Sequence, residues 1–161
     1  MVSNMSDILT DSEIQELLYE QKHLPNNYRN KYQLKEKRAH KESELDVTGI
    51  HGSEFRIIIR QSKINTLDFS VILGYRMPQS TRIFRLRRYN GKSHFHTNKL
   101  EGNGFYDFHI HMATQRYQEG GFREDGYAET TDKYGDVKGA IECLLKDCNF
   151  IVPGHEQESL F

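Results

Sequence analysis

The chain is predicted to fold as an α+β protein, an antiparallel β-meander of about five strands packed on one face by an N-terminal and a C-terminal helix. Three observations predict it. Apolar residues recur at helical spacing near both ends of the chain. Between them lie five runs that alternate with period two, and glycine, proline and asparagine signals separate these runs. The 161 residues fit a single domain, 1–161, whose core needs no disulfide or metal staple.

The first helix is expected over about 11–24, in TDSEIQELLYEQKHL. Thr10 and Glu13 stand at capping-box spacing, Ile14, Leu17, Leu18 and Leu24 recur at helical intervals, and Pro25 closes the run. A basic connecting segment, 25–47, follows. Its stretch NKYQLKEKRAHKESEL reads as a solvated charged face, with a nucleic-acid-contacting arm as the alternative.

The sheet is expected over 53–113. EFRIIIRQ and TLDFSVILGY alternate, TRIFRLRRY makes a third run, and KSHFHTNKL and FYDFHIHM complete it. A glycine-rich loop over 118–127 leads to a C-terminal helix at about 136–148. There Val137, Ile141, Leu144, Leu145 and Cys148 form an apolar stripe.

Charge is unevenly spread under a net of −1. Residues 21–112 carry a net of +9 between acidic flanks, which suits a phosphate-bearing partner unless the flanks fold back and neutralise it. Cys143 and Cys148 lie five apart, neither a redox nor a zinc-ribbon spacing, and read as reduced thiols. No apolar run approaches the roughly 18 residues of a membrane span. The N-terminus has neither the basic start nor the apolar stretch of a signal peptide, so a cytoplasmic protein without a membrane partner is expected. A homo-oligomer is compatible with all of this.

The chemistry concentrates in YNGKSHFHTNKLEGNGFYDFHIH. Asn90-Gly91 is a strong two-residue hairpin signal, and Gly102-Asn103 suits a second turn. With those turns, Arg87 faces His94, Arg85 faces His96, His96 faces His109 and His94 faces His111. One face then carries Arg85, Arg87, His94, His96, His109 and His111, with Asn98 and Asp107 beyond. The other carries Phe84, Leu86, Phe95, Phe108 and Ile110.

Four histidines beside two arginines fit metal-independent phosphodiester cleavage of RNA or a nucleotide, a ribonuclease-like hydrolase without a cofactor. His94, His96, His109 and His111 are the acid and base candidates, because imidazole titrates near neutral pH. Arg85 and Arg87 would bind phosphate. Asn98, Asp107, Thr114, Arg116 and Tyr117 are accessory candidates, and Tyr89, Tyr106 and Tyr117 would stack bases. Glu129 or Thr130 would join the site if the glycine-rich loop closes over it as a lid. The isolated His51 and His155, and His23 and His40 in or beside basic stretches, read as surface residues.

Two alternatives use the same face. A nucleic-acid or nucleotide-binding module would hold its ligand without cleaving it. A metal site would place zinc or another divalent transition metal among His94, His96, His109 and His111. HFHTNKLE, a His-x-His followed by Glu101, resembles the first metal motif of the cupin family, which implies metal-dependent chemistry. No Walker loop, GxGxxG, HExxH or nucleophile elbow occurs.

Overall fold

Thr10 caps the first helix as its spacing predicts, with its hydroxyl accepting from Glu13 N while the Glu13 carboxylate takes the Thr10 N–H. The computed structural model describes residues 8–28, 34–37 and 39–154. Expectations for 1–7, for 29–33 and 38 in the basic segment, and for His155 lie outside the described residues.

Helix α1 spans Asp11–Tyr19 and so stops well short of residue 24. Lys22 explains the early end. Its ammonium, fully buried, shares its three hydrogens among Leu17 O, Leu18 O and Glu20 O at 2.7–3.1 Å and Cys148 O at 2.8 Å. One side chain thus closes the carbonyl ends of two helices, where the helix dipoles favour a cation. Strand β1 (Lys22–His23) then pairs parallel with β11 (Phe150–Ile151), tying the two ends of the domain together.

The segment 25–47 is not a connector throughout. It holds β2 (Lys35–Glu36) and most of β3 (His40–Thr48). In β3, Ser43, Leu45 and Val47 are buried while Glu44, Asp46 and Thr48 face out. The acidic residues hid the alternation, and they lie opposite arginines of β4 (Glu54–Ser62): Arg56 pairs with Asp46 at 2.7 Å and Arg60 with Glu42 at 3.1 Å. Strands β5 (Phe69–Arg76), β6 (Ile83–Asn90), β9 (His109–Met112) and β10 (Tyr127–Thr130) continue an antiparallel sheet of seven strands, ordered β10-β9-β6-β5-β4-β3-β2.

One face of this sheet is the core. Phe55, Ile57, Ile59, Phe69, Val71, Leu73, Phe84, Leu86 and Tyr89 pack there with Ile14 and Leu18 of α1. Helix α3 (Val137–Asp147), capped by Asp136, adds Ala140, Leu144 and Leu145. The α+β architecture with both long helices on one face is as predicted. Cys143 and Cys148 are free thiols. No described helix is long and apolar enough to cross a membrane.

Two departures rearrange the other face. Leu73 opposes Arg87, and its neighbour Gly74 opposes Arg85, so Leu86 is the extra residue of a β-bulge. The bulge switches parity. Phe84, Leu86 and Tyr89 face the core, and Arg87 goes with them beside Tyr89 and Cys148. Arg85 and Arg88 take the open face. Asn90-Gly91 makes no hairpin turn either. Asn90 stays in the ladder opposite Ser70 and His109, and Gly91 N bonds Phe69 O at 3.0 Å. Only glycine fits there, since a Cβ would stand 1.9 Å from Leu67 O.

Strand β6 therefore pairs directly with β9. The intervening residues leave the sheet as a separate hairpin of β7 (His96–Thr97) and β8 (Gly104–Phe105), in which His96 opposes Phe105 rather than His109. Asn98 N→Asn103 O at 2.8 Å and Gly102 N→Asn98 O at 2.7 Å close its loop, with Gly102 at φ 83°. Phe95, expected in the core, is 62% exposed as a result.

Candidate metal centre

Strands β6, β9 and β10 set out two rows of residues on the open face. Arg88, His111 and Ala128 form one; Asn90, His109 and Thr130 form the next. The β7–β8 hairpin folds over them and brings His96 down from above. Its ring stacks on His109 at 5.4 Å between centroids and meets His111 edge-on at 4.7 Å. His109 and His111 stand 4.9 Å apart. One ring nitrogen from each of the three lies within 4.8 Å of the other two.

Hydrogen bonds settle the tautomers. His109 Nδ1 sits 2.7 Å from Asp107 O, and His111 Nδ1 sits 2.7 Å from Asp125 O. A carbonyl only accepts, so both Nδ1 atoms carry hydrogen and both Nε2 atoms keep a lone pair. His96 Nε2 lies 2.7 Å from Asn98 Oδ1. The Asn98 amide cannot be turned round, because its Nδ2 donates to Ala128 O at 2.9 Å and its Oδ1 accepts from Ala128 N at 2.8 Å. His96 therefore donates from Nε2 and keeps the lone pair on Nδ1. Each imidazole is held by one nitrogen and offers the other.

Burial holds the pair on β9 neutral. His109 is 2% exposed and His111 4%. Desolvation, joined by the lesser effect of the Arg88 charge, lowers the pKa of His109 to about 4 and that of His111 to about 2. Phe105 forms an apolar wall, its ring 5.4 Å from His96 and 5.5 Å from His109. Tyr134 pins the backbone beneath, its single hydroxyl hydrogen shared between Asn90 O at 2.8 Å and His109 O at 3.0 Å.

The predicted site residues divide as follows. His96, His109 and His111 come together. His94 does not join them; it is exposed at the rim, bonded to Ser93 Oγ at 3.0 Å. Arg85 is on the open face, with Nε 3.5 Å from Asp125 Oδ1, an ion pair too poorly aligned for a hydrogen bond. Arg87 is on the opposite face, turned there by the bulge. Asn98 orients His96, and Asp107 contributes only its carbonyl, its side chain bonding Phe108 N. Thr114 caps the short helix α2 (Gln115–Glu119).

Arg116 and Tyr117 serve the hairpin loop. Arg116 forms an ion pair with Glu101, and the Tyr117 hydroxyl donates to Glu101 and accepts from Leu100 N. Tyr117 and Tyr89 are fully buried, and Tyr89 donates to Asp147 at 2.8 Å, so neither can stack a base; Tyr106 is half exposed. Glu129 and Thr130 arrive on an edge strand rather than a lid, with Thr130 opposite His109. Glu101, tied to Tyr117 and Arg116, is outside the trio, so the cupin-like HFHTNKLE run does not make a cupin ligand set here.

Arg88, Asn90, Phe105 and Asp125 are the residues the sequence reading missed. Asp125 is fully buried and meets Arg88 Nε at 2.9 Å. A signal for Arg88 was present: the apolar residues of FRLRRYN stand at 84, 86 and 89, a break in alternation that marks a bulge. The other three have no local signature, since their partners lie in distant segments.

A family model described as "Family of unknown function (DUF6978)" matches residues 9–150. No curated protein and no solved structure matches the chain.

Proposed function

The chain belongs to the DUF6978 family, and we propose that His96, His109 and His111 hold a divalent transition metal that activates water for hydrolysis. One observation carries this reading. Three imidazoles converge with one nitrogen of each fixed to an oxygen acceptor, the outer-shell arrangement that orients histidine ligands. Imidazole donors suit zinc and its first-row neighbours. Three protein ligands leave a coordination position for water, whose pKa zinc lowers to about 7.

The metal-independent ribonuclease reading uses the same face with less support. Two of its four histidines, His109 and His111, are buried and held neutral, so neither carries the proton of a general acid near neutral pH, and Arg87 is turned away. We also assign the protein to a reducing compartment, the cytoplasm, from its two free thiols.

Metal analysis of purified protein tests the proposal, paired with hydrolysis of RNA and of bis(p-nitrophenyl) phosphate with and without EDTA. The expected result is one equivalent of zinc, iron, cobalt, nickel or manganese, removed by EDTA and absent from a His109→Ala variant, with activity following the metal. Metal-free protein that cleaves RNA in EDTA would restore the metal-independent reading.

A further inference from the structure

Arg88 stands next to His111 across the β6–β9 ladder, on the face where the three imidazoles meet. Its Nε is committed to Asp125 Oδ2 at 2.9 Å. Among the described residues, its two terminal amino groups have no hydrogen-bond partner, and they are not sealed from solvent. The guanidinium is thus fixed by one edge and open at the other. An arginine whose only role was to neutralise Asp125 would present the matching fork and close both bonds.

Asp125 does not cancel the local charge. Arg85 and Arg123 also approach it, at 3.5 and 3.7 Å, and Arg82 and Arg85 approach Glu124 at 3.7 and 3.4 Å. Four guanidiniums meet two carboxylates in this patch, so two positive charges remain in excess beside the imidazoles. A dication in the trio would add to that field. Such a site favours an anionic ligand over a neutral or cationic one.

A recess of about 460 Å³ runs along β10, lined by Asn98, Phe105, Tyr127 and Thr130 and by the carboxylates of Glu101 and Glu129. Phe105 and Asn98 are walls shared with His96. Arg88 on β6, the histidines on β9 and this recess along β10 lie on successive strands, spaced about 4.8 Å apart. A ligand roughly 10 Å long would reach from one end to the other.

We propose that the centre acts on phosphate esters, with Arg88 the residue that binds the non-bridging phosphate oxygens beside the metal and the recess along β10 receiving the organic group. This rests on the metal reading above. Arg88 supplies two N–H donors at a fixed position, which a tetrahedral oxyanion accepts and a neutral amide or ester carbonyl uses less well.

Cobalt-substituted protein titrated with inorganic phosphate tests it, because the visible spectrum of bound Co(II) reports both the metal and what joins it. Wild-type protein should show a saturable spectral change with phosphate. Arg88→Lys keeps a cation for Asp125 and should fold and bind cobalt, with phosphate affinity at least about tenfold weaker; Arg88→Met should lose the response. Arg60→Ala, on β4 outside this patch and 58% exposed at its side chain, should respond as wild type. A cobalt spectrum that phosphate leaves unchanged would overturn this inference while the metal centre stands. An unaltered response in both Arg88 variants would overturn the role of Arg88. Protein that takes up no cobalt would overturn the metal reading and this inference with it.

Discussion

Asn98 clasps Ala128 as a neighbouring strand would. Its amide takes both backbone hydrogen bonds of Ala128, at 2.9 and 2.8 Å, and its Oδ1 also receives the His96 ring N–H. One buried side chain therefore closes part of the edge of β10, docks the β7–β8 hairpin and fixes which nitrogen His96 offers.

Replacing Asn98 by Ala should therefore affect stability and metal together. Two buried backbone groups lose their partners, at about 1–3 kcal/mol each, and His96 loses its orientation. Metal affinity should fall about 10–100-fold. Urea unfolding of the metal-free protein and a competitive metal titration measure the two effects; unchanged affinity would mean that Asn98 does not orient a ligand.

His94 and His96 should behave differently although they are two residues apart. His94 is exposed with one bond to Ser93, so His94→Ala should shift stability by no more than about 0.5 kcal/mol and leave metal content intact. His96→Ala should reduce metal content sharply under the same purification. Equal loss in both variants would bring His94 back into the ligand set.

Acid should destabilise the metal-free protein in a defined window. Burial holds the folded-state pKa of His109 near 4 and of His111 near 2, below the ordinary value of 6.5. Above pH 6.5 both states are neutral and the histidines contribute nothing. Below it the unfolded chain binds protons that the folded chain refuses, so stability falls as pH drops from 6.5 toward 4, by about 1.4 kcal/mol per pH unit for each group. Urea midpoints of EDTA-treated protein at pH 7.5 and pH 5 should differ accordingly. The double variant His109→Gln, His111→Gln should show a flatter profile.

Lys22 should be among the most costly positions to change. Lys22→Met keeps the aliphatic stem and leaves four carbonyls without their donor, so a loss of about 3–5 kcal/mol is expected. Denaturant unfolding reads it directly. A loss below 1 kcal/mol would show that water replaces the ammonium.

Tertiary geometry reached the His96–His109 juxtaposition by a different route from the expected one. Period-two spacing placed His109 and His111 on one face of a strand, and the structure keeps them there. Hairpin register then paired His96 with His109 inside one sheet. Instead His96 belongs to a second, two-stranded sheet and meets His109 ring to ring across a fold.

What the sequence by itself determined was local: the capped first helix, the C-terminal helix, the alternating strands of the core, and the two histidines of β9. These follow from nearest-neighbour rules of spacing and capping, which operate within one turn or one strand. Tertiary structure alone decided the rest. A bulge at Leu86 chose which arginine faces the histidines, and Gly91 continued along β5 because a backbone oxygen, Leu67 O, lay against it. Asn98 found Ala128 thirty residues away, and Asp125 found Arg88 across thirty-seven. Such contacts arise when the assembled sheet brings distant polar groups out of water together, where each must find a partner or bear the cost of desolvation.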